Sequence, residues 1–324
     1  MRNIIIAPDS FKGTLEAQEI CNIISKVVYQ YIPQAEITCI PMADGGEGLV
    51  SSYLQQFGGE RMREKVTGPS GKEVFSEYGI LDGYTAVVEM ASCAGLPLME
   101  NHLDPMHATT YGVGELIRKI ADSGIRKILI GIGGSATNDM GIGMAAALGY
   151  RFYDGNWEEV EPMAYNLGKI EHIRRPEKEL DISITVACDV DNPLCGPNGA
   201  TYTFGRQKGV LEDQMEELDR CVEHMASVLQ KEFGIDVRQI PGAGAAGGLG
   251  AALLVFLKAE LKSGIELFLD TIHFDELLKK ADLVFTGEGR IDWQSVAGKV
   301  PVGISKRARR AGVPCVALCG SVGN

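Results

Sequence analysis

Six short loops hold most of the side chains in this 324-residue sequence that could do chemistry. They are APDSFKGT (7–14), PMADGGEG (41–48), GIGGSATNDMGIG (131–143), CDVDNPLCGPNGA (188–200), PGAGAAGGLGAA (241–252) and TGEGRIDWQSVAGK (286–299). Glycine lacks a Cβ, so its backbone adopts positive φ values and its N–H groups can approach an anion closely. Together with the acids in the same loops, this composition indicates an active site for a charged ligand and a metal.

Five carboxylates lie just past the ends of predicted strands, and they are Asp9, Asp44, Glu47, Glu288 and Asp292. Acidic groups gathered at one edge of a sheet repel each other unless a cation or a proton intervenes. A hydrated Mg²⁺ ion, held by one or two of them together with substrate phosphate, would remove that repulsion. The sequence therefore predicts a magnesium site.

Lys12 and Arg290 are the basic residues of the same loops. Lysine offers a point charge for a phosphate, and arginine offers a planar fork for a carboxylate or a phosphate. Either residue alone would be interpreted as a surface ion pair, but beside the acids both are candidate active-site cations. The neighbouring candidate ligand-binding residues are Ser10, Asp44, Gly45, Gly46, Gly287 and Glu288.

The GGSATND segment combines a glycine pair with hydroxyl, amide and acidic side chains. Its backbone and hydroxyl donors could hold a polyphosphate, whereas Asp139 could bind a metal or cap the following helix. The candidates in this segment are Gly133, Gly134, Ser135, Thr137, Asn138 and Asp139.

Two glycine patterns match dinucleotide fingerprints, and no GxxxxGK[ST] phosphate loop is present. The first spans 131–136, follows a predicted strand and has Asp154 further on; the second spans 242–247. In a chain with 40 glycines such matches are weak. The second opens an alanine-rich helix, so Gly244 either helps to bind a phosphate at the helix N-terminus or allows tight packing.

Asp189 and Asp191 follow another predicted strand. An aspartate within hydrogen-bond reach of a substrate hydroxyl can orient it and accept its proton during phosphoryl transfer. Asp191 is a further candidate metal ligand. The alternative is a turn in which these side chains bond their own backbone ahead of Pro193.

Apolar runs and helical spacing predict the elements that position these loops. The predicted strands are Asn3–Ala7, Glu36–Met42, Val74–Ile80, Ala86–Met90, Lys127–Ile132, Ile182–Val186, Asp282–Thr286 and Pro314–Leu318. The predicted helices are Leu15–Ile32, Tyr111–Ser123, Gly141–Leu148, Asp213–Glu232, Ala245–Leu261, Phe274–Lys280 and Val302–Ala311.

This order predicts an α/β protein with two dissimilar α/β domains. A Rossmann/flavodoxin-like parallel-sheet domain is built from residues 1–64 and 271–324, and a second α/β domain is inserted at 65–270. Ligands of such sheets bind at the carboxyl ends of the strands, so the expected site lies between the domains. No helix follows the last predicted strand, and we expect a longer natural protein with another strand and helix.

The amino-acid composition favours some classes of protein and argues against others. Apolar residues make up 45% and charged residues 23%, which is typical of a soluble globular protein. The net charge of −12 argues against binding to nucleic acid or to an anionic membrane. Eight cysteines without a CxxC pair, and no signal peptide or membrane span, predict free thiols in a cytoplasmic protein.

The chain resembles the bacterial glycerate kinases of the type-1 family along essentially its whole length. The resemblance rests on APDSFKGTL, PMADGGEG, VTGPSG, ATTYGVGELI, GIGGSATND, ACDVDNPLCGP, FGRQKG, PGAGAAGGLGAALL and TGEGRIDWQSVAGKVPVG. The sequence departs from the family pattern in two places. Relatives continue past Asn324, and Met140 stands where a glycine is common.

The resemblance implies phosphorylation of D-glycerate by ATP with Mg²⁺, commonly at the 2-hydroxyl. It also implies two α/β domains, one inserted in the other. On this basis Arg290 or Lys12 would hold the glycerate carboxylate, the glycine-rich loops would hold MgATP, and Asp189, or else Asp292, would position the attacking hydroxyl.

Two other functions remain open at this point. The glycine fingerprints would fit an NAD(P)-dependent oxidoreductase acting on a hydroxy-acid, which would bind NAD(P)H. A non-catalytic sensor would bind glycerate or nucleotide without turnover. The sequence leaves the oligomeric state open.

Overall fold

A computed structural model of the chain describes residues 2–11, 14–42, 48–99, 102–291 and 300–323. The strands are β1 Asn3–Pro8, β2 Glu36–Cys39, β3 Glu60–Thr67, β4 Glu73–Ile80, β5 Thr85–Glu89, β6 Lys127–Gly131, β7 Arg151–Tyr153, β8 His172–Arg174, β9 Ser183–Ala187, β10 Glu260–Lys262, β11 Leu283–Ile291 and β12 Cys315–Val322. The α-helices are α1 Ala17–Tyr31, α2 Leu49–Phe57, α3 Ala91–Ala94, α4 Tyr111–Asp122, α5 Ile142–Ala147, α6 Ala200–Phe204, α7 Met215–Phe233, α8 Leu249–Leu257, α9 Gly264–Thr271, α10 Phe274–Leu278 and α11 Val300–Arg310.

The chain divides into two compact units, one formed by residues 1–48 with 263–324 and one by residues 49–262. We call them the split unit and the continuous unit. The predicted division placed the boundaries at 64/65 and 270/271. The structure groups 49–64 with the continuous unit because α2 packs on β4 and β5, and β3 pairs with β4. It groups 263–270 with the split unit because α9 packs against α10 and α11.

The split unit contains a four-stranded sheet in the order β12-β11-β1-β2, and every neighbouring pair is parallel. Three isoleucines make the centre of β1 apolar, and α1 covers it with a face that buries Ile20, Ile24 and Val28. This spacing of four residues is the helical period that the sequence shows. Both halves of the chain therefore contribute to one core.

The continuous unit contains a six-stranded sheet in the order β10-β9-β6-β5-β4-β3. Strands β10, β9, β6 and β5 are parallel, while β4 runs antiparallel to both β5 and β3. Helices α4, α5 and α8 bury their apolar residues in the same cluster as β5, β6 and β9. A separate two-stranded antiparallel sheet pairs β7 with β8.

The structure confirms the α/β class, and every predicted strand overlaps an observed one. The strands and helices that the sequence did not predict include β3, whose charged sequence ERMREKVT lies mostly exposed at the sheet edge. All eight cysteines are free thiols, as predicted. Within the described ranges, no helix is both long and apolar enough to cross a membrane.

One predicted helix is confirmed only in its middle, at Leu249–Leu257. The segment 245–261 begins with a 3₁₀ turn at Ala245–Gly248, continues as α8 and ends in β10. Ala246, Gly247 and Gly248 have φ values of 53°, 66° and 89°, and these left-handed residues cannot belong to a right-handed helix. Lys258, with φ of 53°, ends α8 for the same reason.

Candidate functional site

The predicted loops of the continuous unit follow two neighbouring parallel strands. Strands β6 and β9 are in register, with Gly131 opposite Ala187 where both end. The loop 132–141 leaves β6, and the loop 188–199 leaves β9. The carboxyl ends of parallel strands are where open α/β sheets bind ligands, so these two loops form the candidate site of this unit.

The loop after β6 is exposed at its beginning and buried further along. Gly133 and Gly134 lie at the surface, and a Cβ added to Gly133 would meet nothing within 4 Å. Ser135 is 6% exposed, and Thr137 and Asn138 are fully buried. The glycine pair is thus the part of this loop that a ligand can reach directly.

Asp139 is fully buried and accepts four hydrogen bonds. Oδ2 accepts from the Thr110 N–H at 2.9 Å, the Thr110 hydroxyl at 2.8 Å and the Gly143 N–H at 3.3 Å, and Oδ1 accepts from the Gly141 N–H at 3.1 Å. Oδ2 accepts three of these bonds and Oδ1 only one, and a metal-binding role for Asp139 stays a prediction. The bonds to Gly141 and Gly143 fit the alternative prediction, that Asp139 caps the start of α5.

Burial raises the pKa of the Asp139 carboxyl above its ordinary value, while the donors at Thr110, Gly141 and Gly143 act in the opposite direction. The Thr110 hydroxyl in turn accepts the Met144 N–H at 2.9 Å. One carboxylate therefore connects the start of α4, the loop after β6 and the start of α5.

Lys208 lies against this loop, and the sequence analysis did not single it out. It is only 1% exposed, and its Nζ donates to the Thr137 carbonyl at 2.7 Å. Burial lowers the pKa of Lys208 to about 7, although the nearby Asp139 charge acts to raise it. The only signal in the sequence is its place in FGRQKG, between Gly205 and Gly209.

The loop also carries two buried polar atoms that lack a partner among the described residues, Thr137 Oγ1 and Asn138 Oδ1. The amide nitrogen of Asn138, in contrast, donates to Thr201 Oγ1 at 3.1 Å. Leaving a buried acceptor unpaired costs about 1–3 kcal/mol. The fold therefore keeps these two buried acceptors unpaired at a cost in stability.

The 241–248 segment packs its small residues against the loops after β6 and β9. A Cβ on Gly247 would lie 2.1 Å from the Thr137 carbonyl oxygen, and one on Gly244 would lie 2.1 Å from the Pro193 carbonyl oxygen. Gly247 and Gly244 are therefore required for close approach of two backbones. These contacts favour the packing interpretation of this segment over the phosphate-binding one, and ligand binding by Gly244 stays a prediction.

Met140 is buried in a left-handed conformation with φ of 50°. A glycine adopts this conformation without steric cost, whereas another residue loses about 1–2 kcal/mol. Met140, which stands where the resembled family commonly has a glycine, therefore adopts a backbone conformation that suits glycine. The Met140 N–H donates to the Gly247 carbonyl at 3.0 Å, which fixes the two loops together.

Asp189 and Asp191 are exposed on the loop after β9. They lie close enough to Cys188 that their charges add to the effect of burial, which raises the pKa of that thiol. Exposure leaves both carboxylates accessible to a ligand. Their catalytic and metal-binding roles stay predictions.

In the split unit, Asp9 and Ser10 follow the end of β1, whereas Gly287, Glu288 and Arg290 lie within β11, which continues past its predicted end at Thr286 to Ile291. Pro8 is opposite Gly287 in the register, and the Asp9 N–H donates to the Gly287 carbonyl at 2.8 Å. Asp9 follows the end of β1 and is 5% exposed, whereas Glu288 lies within β11, one residue past Gly287, and is 6% exposed. Asp9 Oδ1 also accepts the Ser10 N–H at 2.7 Å.

Arg290 is exposed further along β11, opposite Ser321 of β12. The remaining predicted site residues lie outside the described part of the chain: Lys12, Asp44, Gly45, Gly46, Glu47 and Asp292. Among the residues that are described, no group of three or more acidic, histidine or cysteine side chains could hold a metal. Any metal site must therefore use fewer protein ligands or residues outside that part.

Glycine- and acid-rich loops near the carboxyl ends of parallel strands are typical of α/β enzymes that act on small charged ligands. The chain belongs to the glycerate kinase family, whose model matches residues 4–324. It is thus an ATP-dependent kinase, and the resemblance found in the motifs is confirmed.

Individual relatives agree with this membership. The chain is 46% identical to a glycerate kinase of Halalkalibacterium halodurans, covering 100% of this chain and 86% of that one. It is 45% identical to the glycerate 2-kinase of Escherichia coli K12, covering 98% and 85%. A crystal structure of a glycerate kinase 2 from Salmonella typhimurium LT2 superposes with a TM-score of 0.88 at 41% identity, covering 99% and 87%.

Two glycines provide a matched test of the packing around the loop after β6. Gly133→Ala places its methyl group in open space, so we expect the free energy of unfolding to change by less than about 0.5 kcal/mol. Gly247→Ala forces a left-handed alanine against the Thr137 carbonyl, and we expect a loss of about 2–4 kcal/mol. Urea unfolding measures both, and equal losses would show that the close approach is not required.

The buried amine of Lys208 predicts a pH dependence of stability. The folded chain releases this proton near pH 7 and the unfolded chain near the ordinary value of 10.5, so the unfolded state binds more protons between these values and stability rises with pH. From pH 7 to 8.5 we expect the free energy of unfolding to rise by about 1–2 kcal/mol more in the unmodified protein than in Lys208→Met.

The range stops at pH 8.5 because the buried cysteines change the pH dependence of stability above pH 9. Burial raises the pKa of Cys21 to about 12 and that of Cys93 to about 11, from an ordinary value of 9.0. Above pH 9.0 the unfolded chain loses these protons first, so the free energy of unfolding falls as pH rises. Parallel pH profiles of the two proteins in urea unfolding would contradict a neutral buried amine.

Proposed function

We propose that this chain transfers the γ-phosphoryl group of MgATP to the 2-hydroxyl of D-glycerate, giving 2-phosphoglycerate. The observation that carries the proposal is the family match over residues 4–324. The name of the Escherichia coli relative, glycerate 2-kinase, supports the position of transfer. The loops at the strand ends supply the residue types that this reaction needs.

Asp9 and Glu288 are the described residues that best fit a magnesium ion. They are hard oxygen ligands and both are buried; Asp9 follows β1, and Glu288 lies in the neighbouring parallel strand β11. Mg²⁺ is usually bound by one or two carboxylates and substrate phosphates, with waters completing the coordination. When bound, the ion would neutralise charge on the transferred phosphoryl group. Asp44, Glu47, Asp191 and Asp292 remain further candidates for its coordination.

The polyphosphate of ATP would lie on the loop after β6. Gly133 and Gly134 leave the backbone accessible there, and Ser135 follows them directly. Backbone N–H groups in a glycine-rich turn bind phosphate oxygens without a positively charged side chain. This explains how a chain with a net charge of −12 can bind a polyanion.

Asp189 would act as the base. Its exposed carboxylate can accept the proton from the 2-hydroxyl while the hydroxyl oxygen bonds to the γ-phosphorus and the bond to the ADP oxygen breaks. Arg290 or Lys12 would hold the glycerate carboxylate, and the arginine can do so with two parallel hydrogen bonds. The orientation of glycerate then decides which hydroxyl reacts.

The structure weakens the basis of the oxidoreductase alternative. A dinucleotide fingerprint must follow a strand directly and open a helix. The glycines at 242–247 lie in turns, far in sequence from the end of β9, and they pack against other loops. The glycines at 131–136 follow β6, but α5 begins only at Ile142.

The reaction can be tested by ³¹P NMR of the purified protein with MgATP and D-glycerate. We expect ADP and 2-phosphoglycerate to form, and we expect excess EDTA to stop the reaction until Mg²⁺ is restored. A 3-phosphoglycerate signal would refute the position of transfer. No product with any phosphoryl acceptor, together with tight NAD(P)H binding by fluorescence, would refute the kinase.

Asp189→Asn tests the base. The side chain is exposed, so the fold should be unaffected, while kcat should fall by about 10²- to 10⁴-fold because general bases contribute that much. Asp181→Asn is the matched control, since Asp181 is equally exposed but precedes β9 at its other end. Circular dichroism checks folding, and near-normal turnover of Asp189→Asn would eliminate this assignment.

A further inference from the structure

Lys208 is a buried charged side chain to which the proposed reaction gives no role. Lysine is almost never fully buried without a partner, yet this side chain is 1% exposed. It lies just after α6 in a short 3₁₀ turn at Arg206–Lys208. Burying a lysine costs free energy, so a specific role for this side chain is expected.

The contact of Lys208 is directed at one point of the loop after β6. Nζ donates to the Thr137 carbonyl at 2.7 Å, and this is the one hydrogen bond of that nitrogen among the described residues. The nitrogen carries further N–H groups, and none of them donates to a described residue. The Asp139 carboxylate provides opposite charge near the lysine, but the hydrogen bond itself goes to the backbone.

Thr137 connects the exposed and the buried parts of the loop. On one side are the accessible Gly133 and Gly134, and on the other is Asp139 with its four donors. The loop is also fixed at Ala136, whose N–H donates to the Ala94 carbonyl at 2.9 Å. Lys208 therefore holds the backbone at the point where the loop turns from surface to core.

The unpaired polar atoms lie at the same place. Thr137 Oγ1 and Asn138 Oδ1 are fully buried without a partner in the described part of the chain. A loop that optimised only its stability would pair these acceptors. Unpaired buried groups collect at functional sites, where position matters more than stability.

We propose that Lys208 is a positioning residue for phosphate binding. It holds the Thr137 carbonyl so that the Gly133–Gly134 backbone keeps the conformation that binds the polyphosphate of ATP. The inference rests on the proposed function, because it needs an anionic ligand at this loop. Lys208 does not touch that ligand, and it acts through the backbone of Thr137.

Lys208→Met tests this role, because methionine keeps much of the side-chain volume and removes the hydrogen bond. Lys119→Met is the matched control: Lys119 Nζ also donates to a backbone carbonyl, that of Lys65, at 2.7 Å, but it does so between α4 and β3. If Lys208→Met does not fold, Lys208→Gln replaces it. The measurements are steady-state kinetics and hydrogen exchange of the amides at 133–139.

We expect Lys208→Met to raise the KM for ATP and to lower kcat/KM for ATP on the order of 10²-fold, since small misplacements of binding groups cost this much. The KM for D-glycerate should change little, and the amides at 133–139 should exchange faster. Lys119→Met should leave all of these values unchanged.

The outcomes separate this inference from the proposed function. Unmodified protein that forms no phosphoglycerate refutes the proposed function and, with it, the role in ATP binding. Active protein in which Lys208→Met lowers the thermal midpoint but keeps the KM for ATP shows a purely structural lysine and overturns the inference. Unchanged hydrogen exchange at 133–139 overturns it as well.

Discussion

The buried carboxylate of Asp139 is the interaction on which the candidate site of the continuous unit depends. A charge taken out of water is stable only when donors replace its hydration, and here Thr110, Gly141 and Gly143 supply them. Those donors come from the starts of two helices, so satisfying one acid also fixes where α4 and α5 begin. The lysine at 208 adds opposite charge close by. The exposed glycine pair is thus the accessible end of a rigid, buried polar assembly.

The sequence predicted the parts of the fold that depend on apolar pattern. Strands β1, β6 and β9 are short apolar runs, and α1 shows the helical period. The apolar residues of α1 nevertheless extend beyond its buried face, because Ile23 and Val27 are about half exposed. The polar strand β3 and the 3₁₀ turn at 245–248 were missed or misassigned for a shared reason. Their conformations depend on partners that an apolar pattern does not show, which are β4 for the strand and the Thr137 backbone for the turn.

The candidate site was also predictable only in part. Which loops matter was predictable, since glycines and acids after apolar runs mark the carboxyl ends of parallel strands. The role of each side chain was not, because it depends on burial. Asp139 and Asp191 look alike in sequence, yet one is enclosed by donors and the other is exposed. Lys208 was not predicted as a site residue because a lysine in a polar motif is ordinarily a surface residue.

The split of one unit across both ends of the chain has a consequence for how the protein is made. Strand β1 lies between β2 and β11, and β11 begins only at Leu283. Chains emerge from the ribosome N-terminus first, and domains fold as units. Residues 49–262 can therefore reach their final structure while the backbone groups along one edge of β1 still lack their partner strand. Until β11 has been synthesised, the first strand of the protein is an open sheet edge, exposed to mispairing with other nascent chains.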